Sequence, residues 1–290
     1  MFEGFERRRI DAGEVEINTL VGGEGPPLLL LHGYPQSHVM WRKVAPALAE
    51  RFTVVVTDLR GYGDSGKPTG DEAHENYSKR WMAQDQVNVM SALGFDSFQL
   101  AGHDRGGRVA HRMCLDHGSR IRRACVMDIV PTHTIFADLG KDVAYGYYHW
   151  LFLAQPYDLP ERLIGSDPQY YLERKLGHWS ADMGGFDEEA MAEYRRCFSD
   201  PATIHASCED YRAAITIDLE HDEADFDSRI ACPLLVLWGA KGLMHKNYDV
   251  LETWRAKAGD VQGRALDCGH FLPEEAPQET LGEMLAFFEA

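Results

Sequence analysis

The chain has 290 residues, 44% of them hydrophobic and 26% charged, with a formal net charge of −17. That length supports one large domain with a substantial core, and the acidic balance opposes nucleic acid and anionic membrane surfaces as partners. No apolar run approaches the roughly 20 residues needed to cross a bilayer, and the opening MFEGFERRRI has no apolar signal-peptide region, so a cytoplasmic location is expected.

Phe5–Ile10 and Val15–Leu20 read as strands, followed by a buried strand at Pro27–Leu31 that ends in His32-Gly33. Trp41–Ala49 is predicted helical, Phe52–Thr57 is a β-branched strand, and Lys79–Leu93 is an amphipathic helix stopped by Gly94. Phe98–Ala101 is a strand, Gly106–His117 a helix and Ile121–Ile129 a strand. From Pro131 to about Asp227 this alternation stops, and the sequence turns aromatic and helical. It resumes with strand Pro233–Trp238, helix Asp249–Ala258, a short strand Arg264–Leu266 and helix Pro277–Phe288. Strands alternating with helices imply an α/β fold, a mostly parallel sheet with helices on both faces. The expected organisation is a core from residues 1–130 and 228–290, interrupted by a helical cap at 131–227 over the carboxyl ends of the strands, where such sheets bind ligands.

Gly61-Tyr62-Gly63-Asp64-Ser65-Gly66 matches a dinucleotide fingerprint in spacing. However, Asp58-Leu59-Arg60 separates it from its strand and Lys67-Pro68 stands where a helix should start, so it reads as a turn and no cofactor is expected. The six cysteines form no C-x-x-C pair, and His205-x-x-Cys208 has no second ligand pair. Buried reduced thiols and no metal are therefore expected.

Gly102-His103-Asp104-Arg105-Gly106-Gly107-Arg108 lies at a strand-to-helix turn, where a hydrolase carries G-x-S-x-G. Here Asp104 holds the serine position. Asp before a helix is also an ordinary N-cap, but the small residues around it are what a sharp elbow requires. A carboxylate with a pKa near 4 is already ionised and attacks carbon without help from a base, forming an ester that water must clear. His270, in Asp267-Cys268-Gly269-His270-Phe271 after the last strand, is the expected general base. Its orienting acid is expected to be Asp128, in Met127-Asp128-Ile129, because the loop after Pro233–Trp238 has no acid before Asp249. Tyr34, in His32-Gly33-Tyr34-Pro35, lies where hydrolases supply backbone donors. Arg105 and Arg108 gain nothing from the helix dipole but offer guanidinium forks to a substrate carboxylate.

The set His32-Gly33-Tyr34-Pro35-Gln36, Asp58-Leu59-Arg60-Gly61-Tyr62-Gly63-Asp64-Ser65, Gly102-His103-Asp104-Arg105-Gly106-Gly107-Arg108, Asp128 and Gly269-His270-Phe271 resembles the fluoroacetate (haloacetate) dehalogenase family of the α/β-hydrolase fold over essentially the whole chain. The resemblance implies a cofactor-free homodimer that hydrolyses small haloacids, fluoroacetate to glycolate and fluoride. It also implies a halide pocket made by His149-Trp150 and Tyr211. Epoxide hydrolases use an elbow Asp too, usually with Trp beside it where this chain has Arg105, and they are the alternative.

Overall fold

A computed structural model describes residues 1–290. Its sheet contains β1 (Glu6–Asp11), β2 (Glu16–Gly22), β3 (Pro27–Leu31), β4 (Thr53–Thr57), β5 (Phe98–His103), β6 (Ile121–Met127), β7 (Leu234–Gly239) and β8 (Val261–Leu266), in the order β1-β2-β4-β3-β5-β6-β7-β8. β1 and β2 pair antiparallel, as do β2 and β4. Every pair from β4 to β8 is parallel. β3, β5 and β7 are covered on both faces, which explains the continuous apolar runs of β3 and β7. β1 is an edge strand, and its Glu6-Arg7-Arg8-Arg9 stretch is exposed, a charged border that discourages pairing with another chain.

Alternation along the strands feeds two apolar layers. In β3, Leu29 and Leu31 join the core on one face, while Leu28 and Leu30 join the core on the other. The first of these cores continues without a break into the segment between β6 and β7 through Leu153, Leu172, Tyr194 and Tyr211. That segment holds eight α-helices, from Thr132–Ala137 to Ile217–Ala224, and no strand. No helix of the structure is long and apolar enough to cross a membrane.

Several predicted elements differ in extent, among them the helix expected at Asp249–Ala258, which spans Val250–Arg255. Trp41–Ala49 divides into a 3-10 turn at His38–Trp41 and a helix at Ala45–Leu48, because Pro46 lacks the N–H that a continuous helix needs and occupies the first turn of a new one. β8 begins at Val261, three residues before the expected start. Gly263 lies opposite Val236, where a Cβ would sit 1.8 Å from the Val236 carbonyl oxygen, so a glycine interrupts the apolar pattern inside a paired strand.

Because β3, β5, β6 and β8 run the same way, the residues that follow them emerge at one end of the sheet. Tyr34, Asp104, Asp128 and His270 all belong to that end. The helix Arg105–Asp116 starts directly from β5 and packs close to β3. A Cβ on Gly106 would lie 2.3 Å from the His32 carbonyl oxygen and 2.6 Å from that of Leu31. Gly106→Ala should therefore lower stability by at least about 2 kcal/mol in urea unfolding. Gly165→Ala, whose Cβ would meet nothing within 4 Å, should be neutral or slightly stabilising. Equal midpoints for the two variants would contradict this account of the elbow.

Candidate active site

Asp104 has a backbone φ of 48° and ψ of −115°, a conformation that side chains other than glycine rarely adopt and that costs energy. It is pinned by its neighbours: its N–H donates to Met127 O at 3.1 Å, and its carbonyl accepts from Arg108 N at 3.1 Å. Its side chain makes no cap to the helix behind it, so the N-cap reading does not apply. Instead Oδ1 accepts from the Tyr34 backbone N–H at 2.8 Å. The loop that carries this donor can approach because residue 33 is glycine; a Cβ there would lie 2.5 Å from the Cβ of Asp104. His32 fixes the loop. Its Nε2 accepts from Leu59 N at 3.0 Å, which leaves Nδ1 to donate to Gly33 O at 3.0 Å.

His270 meets Asp104 from the other side, with Nε2 3.7 Å from Oδ2, a gap too long for a hydrogen bond. Its Nδ1 donates to Asp128 Oδ2 at 2.6 Å, and Asp128 Oδ1 accepts from Gly239 N at 2.9 Å. Asp249, the other acid the sequence offered, caps the helix Val250–Arg255 through Glu252 N. The His270 backbone is held by Trp179 O and by the His103 ring, whose Nε2 donates to His270 O at 2.7 Å. Burial holds the pKa of His103 down to about 3, so it stays a neutral donor. Burial also opposes charge on His270, but the bond and charge of Asp128, with the charge of Asp104, raise its pKa above the ordinary histidine value. Burial would likewise raise the pKa of Asp104, but the fields of His270, Arg105 and Arg108 outweigh it and keep the carboxylate ionised.

Arg105 and Arg108 are buried, and neither is a solvated helix-start arginine. Their forks are used differently. Arg105 gives Nε and Nη2 to the Asp210 carboxylate at 2.9 and 2.5 Å, and Nη2 also to the Asp210 carbonyl at 2.9 Å. Only its Nη1 lacks a partner in the protein. Arg108 gives Nη1 to Val130 O at 2.9 Å and Thr132 Oγ1 at 3.1 Å, which leaves Nε and Nη2 unpaired. The two-pronged grip expected of both arginines is therefore open on Arg108 alone.

The helices between β6 and β7 roof these groups with aromatic rings. The Tyr211 ring lies 4.2 Å from the Arg105 guanidinium and the Trp150 ring 4.5 Å from that of Arg108, a contact that favours the cations. His149 and Trp150 meet Tyr211 edge-on at centroid distances of 5.4 and 5.6 Å. The expected halide trio is thus one cluster. His149 Nδ1, Tyr211 OH and Tyr34 OH are buried without a protein partner. Burial, reinforced by the charges of Lys175 and Arg105, drives the pKa of His149 far down and leaves the ring neutral.

Sequence reasoning missed two residues. Asp210 holds Arg105 from a position 105 residues away, and its only sequence signal is adjacency to Tyr211. Trp179 lies 4.5 Å from His149 and 5.5 Å from His270, ring to ring, with an unpaired Nε1; nothing in the sequence marks it. The glycine turn Gly61–Gly66 wraps a carboxylate, since a Cβ on Gly63 would lie 2.2 Å from Asp58 Cγ, and the Asp64 N–H donates to Asp58 Oδ2 at 2.9 Å. A turn whose donor is already given to a buried carboxylate makes a poor phosphate cradle. All six cysteines are buried and free, and His205 pairs with Glu161 at 3.1 Å.

The α/β hydrolase fold family matches residues 26–277. The chain is 50% identical to a fluoroacetate dehalogenase of Burkholderia sp over 281 residues, 97% of this chain and 92% of that protein. It is 38% identical to a soluble epoxide hydrolase of Corynebacterium sp. (strain C12) over 277 residues, 94% of this chain and 93% of that one. A crystal structure from Nostoc sp PCC 7120, assigned to the α/β hydrolases, superimposes with a TM-score of 0.99 at 58% identity and covers 99% of both chains.

The same Asp210 carboxylate also accepts from Tyr62 OH at 2.7 Å and from Lys79. Asp210→Ala strands the buried Arg105 guanidinium and leaves Lys79 with Asp218 alone, at 3.2 Å, and should cost about 3–5 kcal/mol in urea unfolding. Asp210→Asn, which keeps an acceptor, should cost less. Wild-type stability in Asp210→Ala would show that Arg105 is held by other groups.

Proposed function

Because the chain belongs to the fluoroacetate (haloacetate) dehalogenase family of the α/β-hydrolase fold, we propose that it hydrolyses the carbon–halogen bond of small 2-haloacids, converting fluoroacetate to glycolate and fluoride. The observation that carries this reading is a set of three buried guanidinium nitrogens, Arg105 Nη1 with Arg108 Nε and Nη2, that have no acceptor in the protein and belong to arginines whose charges help keep Asp104 ionised. Unpaired buried donors on cations are costly, and a substrate carboxylate supplies the missing acceptors and the missing charge.

With the carboxylate seated there, Asp104 Oδ2 attacks the carbon that bears the halogen. The new C–O bond forms as the C–X bond breaks, and the bonding pair leaves with the halide toward His149, Trp150 and Tyr211. Ester formation removes the negative charge of Asp104, one of the fields that raise the pKa of His270. That pKa therefore falls, and the neutral imidazole needed in the next step becomes more populated. His270 Nε2 then takes a proton from water as the water oxygen attacks Asp104 Cγ. Charge developing on Oδ1 meets the Tyr34 N–H, and the imidazolium is stabilised by Asp128. As the intermediate collapses, the expelled alkoxide oxygen takes the proton back from His270 Nε2 to give the hydroxyacid, and the second proton of the attacking water leaves to solvent as the Asp104 carboxylate is restored.

The soluble epoxide hydrolase likeness and the unpaired hydroxyls of Tyr34 and Tyr211 favour a second reading, in which tyrosines protonate an epoxide oxygen. That ligand is neutral and would leave the arginine donors unmet. Assaying fluoride from fluoroacetate and diol from a styrene-type epoxide separates the two. Leu151, Tyr157, Leu159 and Leu163 on the helical segment are exposed, and we propose that they contribute to the interface of the homodimer expected from the resemblance.

Asp104→Asn should abolish turnover, whereas His270→Asn should carry out the attack once and stall. Mass spectrometry of His270→Asn after fluoroacetate should then find a carboxymethyl group on Asp104. Rapid multiple turnover in that variant without an adduct would contradict the division of labour.

Fluoride is a poor leaving group and needs donors where its charge develops. Trp150→Phe and Tyr211→Phe should each lower kcat on fluoroacetate by about 10²-fold and lower it much less on chloro- and bromoacetate. Equal proportional losses on all three substrates would mean that these rings only shape the chamber.

A further inference from the structure

A second cation is buried without an acid outside the catalytic chamber. Lys175 lies on the helix Pro168–Trp179 and is 2% exposed. Burial pulls its pKa down to about 7, with no carboxylate close enough to hold it up. Its Nζ is 3.6 Å from the centroid of the Tyr148 ring, 5.4 Å from Tyr171 and 5.3 Å from Trp179. Tyr171, Lys175 and Trp179 follow at i, i+4 and i+8 and so form one stripe along the helix. Ring faces favour the positive charge but cannot saturate three ammonium donors. Lys175 therefore repeats, farther out, the pattern seen at Arg105 and Arg108.

Its surroundings make that pattern a route. Lys175, with Arg174 and His178, borders a cavity of about 340 Å³. An adjoining cavity of about 290 Å³ reaches His270 and Asp128, and both cavities are lined by Tyr145 and His178. The charge of Lys175 is also felt inside, where it is the strongest of the neighbouring charges that disfavour a proton on His149. A small anion approaching a chain of net charge −17 meets a repulsive field overall, and a local cationic entrance raises its concentration at the mouth.

We propose that the cavity beside Lys175 is a second anion-binding subsite, an antechamber that holds a small monovalent anion, carboxylate or halide, on its way between solvent and the catalytic chamber. The identity of that anion as substrate or product rests on the dehalogenase reading, whereas the subsite itself does not. The Lys175 ammonium would donate to the anion, with the rings of Tyr148, Tyr171 and Trp179 beside it.

The probe is bromide. In crystals of the wild-type protein soaked in sodium bromide, anomalous scattering should place an ion within hydrogen-bonding reach of Lys175 Nζ. The peak should disappear in Lys175→Met and persist in Lys175→Arg. Displacement of the ion by acetate would identify a site that also takes substrate carboxylates; retention would identify a halide site on the exit path. In solution, Lys175→Met should raise KM for fluoroacetate about tenfold, the size of one charged hydrogen bond, and Lys175→Arg should restore it. Bromide found only in the catalytic chamber, or a peak that survives Lys175→Met, would overturn the proposal. So would a bromide peak with both kcat and kcat/KM unchanged in Lys175→Met, which would mark an adventitious ion only. Bromide bound at Lys175 in a wild-type protein that releases no fluoride would sink the dehalogenase reading and leave the subsite standing.

Discussion

Taking a carboxylate out of water disfavours its charge unless opposite charges stand close, and Asp104 is 5% exposed on a backbone of positive φ. Its ionisation depends on His270 and on two arginines that are themselves buried. Those cations need partners in turn, and the partners come from two parts of the chain, the segment just after β6 and a helix far beyond it. Asp128 at the end of β6 holds His270, Asp210 from the helix Pro201–Ile215 holds Arg105, and Val130 O with Thr132 holds Arg108. The site is a lattice of compensated charges in which the nucleophile is the shared node. Two sets of donors are left over, one on the arginines whose charges act on Asp104 and one on the cap rings, and they point to an anionic substrate with an anionic leaving group.

The helices between β6 and β7 therefore do more than cover the sheet. Asp210 and Tyr211 are adjacent on one helix, where successive side chains point in directions about 100° apart. The first reaches down to the edge of the Arg105 guanidinium, and the second lies over its face. Lys79 and Tyr62, both from the part of the chain before β6, meet the same Asp210 carboxylate. A polar cluster with partners in both parts of the chain fixes their relative position more tightly than apolar contact alone, because a sideways shift would unpair buried charges. A chamber for an ion as small as fluoride needs its donors positioned that closely.

What was legible in the sequence follows this physics. The elbow at Asp104 and the base at His270 were visible because strand-turn-helix patterning and chain order are local signals, and Asp128 followed from the lack of an acid soon after β7. The use of the arginine forks was not visible, because it depends on an aspartate 105 residues away that only tertiary packing delivers. His149, Trp150 and Tyr211 came from family resemblance; their spacing alone suggests an apolar core. Trp179 and Lys175 gave no signal beyond helical periodicity, since a lysine between aromatics at i±4 reads as an ordinary amphipathic helix until its burial is known. The early start of β8 was hidden by Gly263, whose missing side chain makes room for the neighbouring strand but breaks the alternation that identifies one.

The central claim is that an oxygen of Asp104 enters the product. A single turnover of fluoroacetate by excess enzyme in water enriched with oxygen-18 tests it most directly. The account predicts that the hydroxyl oxygen of the first glycolate released is unlabelled, having come from Asp104, and that the peptide containing Asp104 gains one oxygen-18 atom from the water that cleared the ester. Labelled glycolate in that first turnover with an unlabelled Asp104 peptide would mean that water attacks the substrate carbon directly, and the aspartate would then be a base rather than a nucleophile.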